Sequence, residues 1–277
     1  MSNKPKIFGL MVTHNTSLFA EHAVRSIFAA NDLSGLNFRM HVLDNASRDQ
    51  RAPALANYLK DAGVPLIQTG LDDSPDSTKH AAAFEKFVRE NPGCSHYLFL
   101  DPDIWFEDPD VIPTMVKELE TAGDLVFGNQ AQNFEYFENK VIEGGGRIAG
   151  DGGQCDRKWR INIGGKDYAM SLAHRCSPAC CLIKNTPTFR RVVEIMGLGA
   201  WWTFRAPGKP GADNGRNAVL YDTFSLMTHA MKTHGLEYMI SSARIMHYTN
   251  VAWRPKELDR KEKDCLARIE RFVHGQR

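Results

Sequence analysis

Short apolar runs rich in β-formers alternate with amphipathic stretches of helical period through the first half of the chain, and few folds accommodate that rhythm. Ile7 to Val12 reads as a strand, followed by a helical pattern through Leu18, Ala23, Ile27 and Phe28. Phe38 to Leu43 is a second strand that stops at Asp44-Asn45-Ala46-Ser47. Arg51 to Ala62 is helical, with Leu55, Tyr58 and Leu59 on one face. Val64 to Gln68 reads as a strand, Ser77 to Glu90 as a helix, and Tyr97 to Leu100 as a strand halted by Asp101. Val111 to Thr121 reads as a helix and Leu125 to Gly128 as a strand. Short-linked alternation of this kind predicts an α/β fold with a doubly wound, mostly parallel sheet covered on both faces. Ligands in such sheets gather at the carboxyl ends of the strands. Thr13-His14-Asn15, Asp44-Asn45 and Asp101-Pro102-Asp103 each follow a predicted strand, so all three converge on one edge.

The character changes near Gly144. GGG, GDGG and IGG between residues 144 and 166 signal a loop-rich insertion or a β-ribbon, and Ala206 to Gly215 is a second Gly/Pro-rich stretch. Tyr221 to His234 carries a helical pattern. The tail from Pro255 holds more Lys and Arg than Asp and Glu and reads as a surface helix.

Composition narrows the function classes. Hydrophobic content of 43% and charged content of 24% in 277 residues is globular and excludes disorder. A net charge of +1 gives a nucleic-acid partner little support. Without an apolar run of about 20 residues, no transmembrane segment is expected. The N-terminal apolar stretch is interrupted too early, at His14 and Asn15, to be a signal peptide. A cytoplasmic location with reduced thiols follows as an expectation, and Cys94, Cys155, Cys176, Cys180, Cys181 and Cys265 show no disulfide framework. Cys176, Cys180 and Cys181, with Cys155 and His174, lack the paired spacing of a zinc site. Thr13-His14-Asn15-Thr16 stands where a dehydrogenase would have its glycine fingerprint, and no P-loop occurs.

Asp101 and Asp103 leave the end of an apolar strand one residue apart. Two such carboxylates reach a hard divalent cation, and Mg²⁺ and Mn²⁺ favour oxygen ligands shared with substrate phosphates. An Asp-Pro turn is the plainer alternative. Asp44 is placed to accept from a ribose hydroxyl or a base N–H, or, with Asn45, Ser47 and Asp49, to cap the next helix.

The runs M-V-T-H-N at 11–15, V-L-D-N-A-S-R-D at 42–49 and Y-L-F-L-D-P-D at 97–103 resemble the large family of inverting glycosyltransferases with the GT-A fold. The resemblance implies a Rossmann-like nucleotide-sugar-binding half over residues 1–130 and an acceptor-binding half over 131–277, in one continuous domain. Carried over by position, Thr13, Asn15, Asp44 and Asn45 bind the nucleotide, joined by Asp101, and Asp101 and Asp103 hold Mn²⁺ or Mg²⁺. Asp222, before the helical stretch from Phe224, matches the general base, although one acid stands where the family commonly has two. His247 matches a further metal ligand. Asp76-Ser77-Thr78-Lys79-His80 departs from the family's pattern, and Lys79 is its candidate for the donor phosphates. Trp201 and Trp202 are candidates for stacking on an acceptor sugar. The implied enzyme is a metal-dependent inverting transferase using a UDP- or GDP-type sugar donor and a glycan, lipid-linked or other hydroxyl acceptor. A modified DNA base is a further acceptor class. The rival readings are a nucleotidyltransferase on a similar sheet and a non-catalytic carbohydrate-binding protein on a decayed transferase fold.

Overall fold

A computed structural model describes residues 4–71, 77–132, 158–163, 166–171, 179–199, 201–204, 218–221, 223–224, 227, 230–231, 234–235, 238–248, 251 and 255–274. The first half folds as β1 (Lys6–Thr13), α1 (Ser17–Ala30), β2 (Asn37–Asp44), α2 (Ala52–Asp61), β3 (Leu66–Gln68) and α3 (Ser77–Glu90). It continues through β4 (His96–Leu100), β5 (Ile104–Phe106), α4 (Val111–Ala122) and β6 (Leu125–Gln132). The second half supplies a hairpin of β7 (Lys158–Ile163) and β8 (Lys166–Ser171), then β9 (Cys180–Lys184) and α5 (Pro187–Met196). It ends with the paired β10 (Trp201–Phe204) and β11 (Ala218–Tyr221), β12 (Tyr238–His247) and α6 (Pro255–Val273).

Eight strands form the main sheet in the order β3-β2-β1-β4-β9-β6-β12-β5. The pairs β3/β2, β2/β1, β1/β4 and β6/β12 are parallel, while β9 and β5 run against their neighbours. The sheet is therefore mostly parallel, as the alternation predicts. Two of its strands, β9 and β12, come from the second half of the chain and interleave with strands of the first.

Side chains alternate along each central strand, so both faces of the sheet are apolar. From β4, Leu98 and Leu100 pack with residues of α1, α2 and α4, whereas Tyr97 and Phe99 pack with residues of α3 and α5. Cys180 and Cys181 of β9 divide in the same way, which rules out a shared metal ion for these two thiols. Burial pushes the Cys180 thiol up to about 12, and it stays protonated. Cys155, His174 and Cys176 lie outside the described residues. Close approach is enforced at Gly128, where a Cβ would sit 2.9 Å from the Cβ of Cys180. Local signals set the helix ends: Thr186 accepts from the Phe189 amide at 3.1 Å with Pro187 in the first turn of α5.

The basic tail is a helix, but one of its faces is buried. Cys265 and Ile269 of α6 pack with Leu18 and Phe19 of α1 and with Trp105 and Tyr248. Tyr248 donates to Asp264 at 2.7 Å, and the Arg268 guanidinium lies over Trp105. No described helix is long and apolar enough to cross a membrane.

Two imidazoles in this framework are held neutral. His22 is 1% exposed, packed among Trp105, Tyr248 and Phe272, and burial together with Arg268 drives its pKa down to about 3. His96 falls to about 4, chiefly by burial and secondarily through Lys184. As pH drops below about 6.5 the unfolded chain takes up protons at these rings while the folded chain does not, so folding stability declines with acid. The loss runs from about pH 6.5 down to 4 for His96 and on to 3 for His22, at about 1.4 kcal/mol per pH unit for a fully buried ring. Urea denaturation at pH 7 and pH 5 should show the lower midpoint at pH 5, with a smaller drop in His22→Phe. Equal drops in the parent and the variant would remove His22 from this account.

Candidate active site

Register brings the sequence-predicted residues to one edge. Thr13 pairs with Asp44 at the ends of β1 and β2, and Asp44 pairs with Gln68 at the end of β3. The Asn45 amide donates to the Thr13 carbonyl at 2.9 Å, tying the two loops together. Thr13 is fully buried, and its hydroxyl lies 3.0 Å from that of Thr16.

The loops after β1 and β2 lock into each other. Asn15 and Ala46 both have left-handed backbones, with φ of 53° and 56°. Asparagine tolerates that region, whereas alanine is strained there, and such strain persists only where the surroundings impose it. Asn15 receives the Arg48 amide on its side-chain oxygen at 2.7 Å, and its own amide donates to Ser47 Oγ at 3.0 Å. His14 Nδ1 donates to the Asn45 carbonyl. Asn45 is 3% exposed and accepts the Thr69 hydroxyl at 2.8 Å.

Asp44 does not cap α2. One of its oxygens takes the Ser47 amide at 3.0 Å and the other the Gln68 side-chain amide at 2.9 Å. No side chain caps α2; Asp49, which the sequence offers as one of several candidates for that role, reaches the start of α1 instead. Its Oδ2 accepts the Ser17 amide at 3.2 Å and the Ser17 hydroxyl at 2.8 Å, across 32 residues, while Oδ1 takes the Arg51 amide at 2.9 Å. A negative charge thus sits on the N-terminus of α1, where the helix dipole favours it. The same contact holds the β2 loop against the start of that helix.

Asp101, Asp103 and His247 form one cluster, each offering a ligand atom within 4.8 Å of the others. This convergence is tertiary. β5 pairs with the end of β12, aligning Ile104 with His247, and the Tyr248 amide donates to the Asp103 carbonyl at 2.8 Å. His247 Nε2 lies 3.0 Å from Asp103 Oδ1. Burial would raise the Asp103 carboxyl, but the His247 imidazole facing it more than offsets this and holds the carboxyl below the usual range. Burial likewise lowers His247, and Asp103 reverses the shift, so the imidazole ends above its ordinary value.

The cluster fits a divalent cation on its own chemistry. Two carboxylates and an imidazole suit Mn²⁺ and are acceptable to Mg²⁺. His247 Nδ1 is also buried with no hydrogen-bond partner among the described residues. A side chain with one ring nitrogen on Asp103 and the other unspent has capacity left for a ligand.

The remaining candidates are less defined. Lys79 is half-buried in the first turn of α3. Trp201 and Trp202 lie in β10, paired with Tyr221 and Leu220 of β11, so their backbone adjoins the stretch leading to residue 222. Asp222 itself lies outside the described residues, as does half of the helical pattern over Tyr221 to His234. A cavity of about 250 Å³ between α1, β5 and α6 is lined by His22, Trp105, Phe106, Arg268 and Phe272. None of the three cluster residues lines it, so it is separate from this site.

Sheet order and the loops converging at one edge make this a GT-A-like fold. No protein-family model matches the chain, and no curated protein matches it. Solved structures do. The mannosyltransferase PcManGT from Pyrobaculum calidifontis, in complex with GDP-Man and Mn²⁺, aligns with a TM-score of 0.52 at 14% identity, over 95% of this chain and 61% of that one. S. aureus TarS 1–349 in complex with UDP aligns with a TM-score of 0.44 at 12% identity, over 86% of this chain and 61% of that one. The chain thus spans about three fifths of the length of either structure.

Proposed function

We propose that the protein is a metal-dependent glycosyltransferase that moves a sugar from a nucleoside diphosphate donor to an acceptor hydroxyl with inversion. The observation that carries this reading is the cluster of Asp101, Asp103 and His247 at the loop-bearing edge of a GT-A-like sheet. The GDP-Man and Mn²⁺ in the PcManGT structure support it.

Asn15, Asp44 and Asn45 bind the nucleotide, with Thr13 supporting their loop from beneath. Asp101 serves both the nucleotide and the metal; Asp103 and His247 complete the ligand set. Held by these residues, Mn²⁺ or Mg²⁺ would supply charge neutralisation for the departing diphosphate. Lys79, in the first turn of α3, binds the donor phosphates. Asp222 takes the proton from the acceptor hydroxyl, so that the oxygen attacks the anomeric carbon opposite the leaving group. Trp201 and Trp202 contact the acceptor, which residues 131–277 select, while residues 1–130 hold the donor. The mutual locking of the β1 and β2 loops leaves little to reorganise when the donor arrives, which is how positioning lowers a barrier.

Melting temperatures measured with a panel of UDP- and GDP-sugars, with and without Mn²⁺, test this reading. A donor at about 100 times its dissociation constant adds about 2.7 kcal/mol of stability. At this chain length that is a rise of about 5 °C. The rise is expected with Mn²⁺ and should largely disappear with a chelator. A panel in which no nucleotide sugar raises the melting temperature would defeat the proposal.

A further inference from the structure

The two carboxylates of the cluster each have an imidazole of their own. Asp103 faces His247, and both belong to the set of ligand atoms lying within 4.8 Å of one another. Asp101 faces His80, with His80 Nε2 3.4 Å from Oδ1. His80 is not part of that set. It therefore touches a ligand from outside the ligand shell, which is where residues that orient metal-binding groups stand.

Its position is built into the core. His80 sits one turn before Phe84 on α3, and the two rings meet edge-on at 4.7 Å. Phe84 is fully buried and packs edge-on against Phe99 of β4 at 5.1 Å, one residue before Leu100 leads into Asp101. One stack of rings thus links α3 to the strand that ends in the carboxylates. About a quarter of each side chain remains exposed, 23% for His80 and 22% for Asp101, so the pair borders the open side of the site. The imidazole also lies in Asp76-Ser77-Thr78-Lys79-His80, the stretch where the chain departs from the pattern it otherwise resembles.

We propose that His80 is a positioning residue for Asp101. Its Nε2, 3.4 Å from Oδ1, limits the rotation of the carboxylate at the open side of the cluster. The inference rests on the reading of the cluster as a divalent-metal site. Loss of such an orienting partner typically weakens metal binding about 10- to 100-fold.

Mn²⁺ affinity, measured by calorimetry without donor, is the test, because it reads the ligand set apart from turnover. His80→Ala should weaken Mn²⁺ binding about 10- to 100-fold with the melting temperature of the metal-free protein within about 2 °C of the parent. His80→Gln, whose side-chain N–H reaches the position of Nε2, should recover most of that loss. Unchanged Mn²⁺ affinity in His80→Ala overturns the inference and leaves the metal site standing. A weakening in His80→Ala that His80→Gln does not relieve also overturns it. A parent protein that binds neither Mn²⁺ nor Mg²⁺ overturns the metal site itself, and the role of His80 with it.

Discussion

Asp103→Ala should lose sugar transfer and donor hydrolysis together, with kcat/KM down by at least about a thousandfold, since the charge stabilisation at stake is several kcal/mol and each tenfold costs about 1.4. Of the two carboxylates in the cluster, Asp103 is the more buried. Its carbonyl is bonded to the Tyr248 amide, and its side chain, 12% exposed, meets His247 at 3.0 Å. Alanine leaves that imidazole without its partner in a buried place, at a cost of about 1–3 kcal/mol. Lost activity in the alanine variant is therefore best read beside Asp103→Asn. Asparagine keeps the size and can still bond His247, but it removes the negative charge. If the charge matters because it holds a cation, the asparagine variant melts close to the parent yet loses nearly as much turnover as alanine. Initial rates of nucleoside diphosphate release, taken with thermal melts of all three proteins, decide the matter. An asparagine variant within tenfold of the parent would exclude Asp103 as a metal ligand.

The second large effect is expected at Asp222. Asp222→Asn should cut transfer to the acceptor by about 10²- to 10⁴-fold, the range for losing a positioned base. Donor affinity in the presence of Mn²⁺ should stay within about twofold, because a base that acts on the acceptor adds nothing to donor binding. The chain on either side of Asp222 is firmly seated. Tyr221 ends β11, and Thr223 and Phe224 are buried at 2% and 0% exposure. Phe224 meets Phe99 edge-on at 4.8 Å, and its amide donates to the Leu198 carbonyl at 3.1 Å. Its φ of 70° is strained for a bulky residue and persists only where packing dictates it. An isosteric change at 222 should leave that seat intact, so transfer and donor binding separate cleanly. Transfer at the parent rate in the variant would pass the role of base to another group.

Strands and helices of the first half were legible because each is a local pattern closed by local punctuation. The apolar run from Tyr97 to Leu100 stops at an Asp-Pro pair, and the helix predicted over Ser77 to Glu90 spans α3 as observed. The strand predicted to stop at Gly128 runs on to Gln132, since β12 offers it a parallel partner whose pairing extends that far. Ile104-Trp105-Phe106 is apolar throughout but too short to announce itself, and only its pairing with β12 makes it a strand. β9 carried no signal that it would run antiparallel between β4 and β6. Asp49 looked like one of several caps for the helix that follows it, yet it caps the helix before, an assignment that depends on how two loops meet.

From the order of its residues alone this chain determines a mostly parallel α/β sheet and a carboxylate pair at the tip of a buried strand. Burial period and turn chemistry act within a few residues and need no knowledge of the rest. The tertiary structure decided which imidazole reaches which carboxylate. His247 meets Asp103 across 144 residues because β12 and β5 pair, and His80 meets Asp101 because aromatic packing seats α3 on β4. Contacts of that range are set by strand register and core packing, which no stretch of sequence carries by itself.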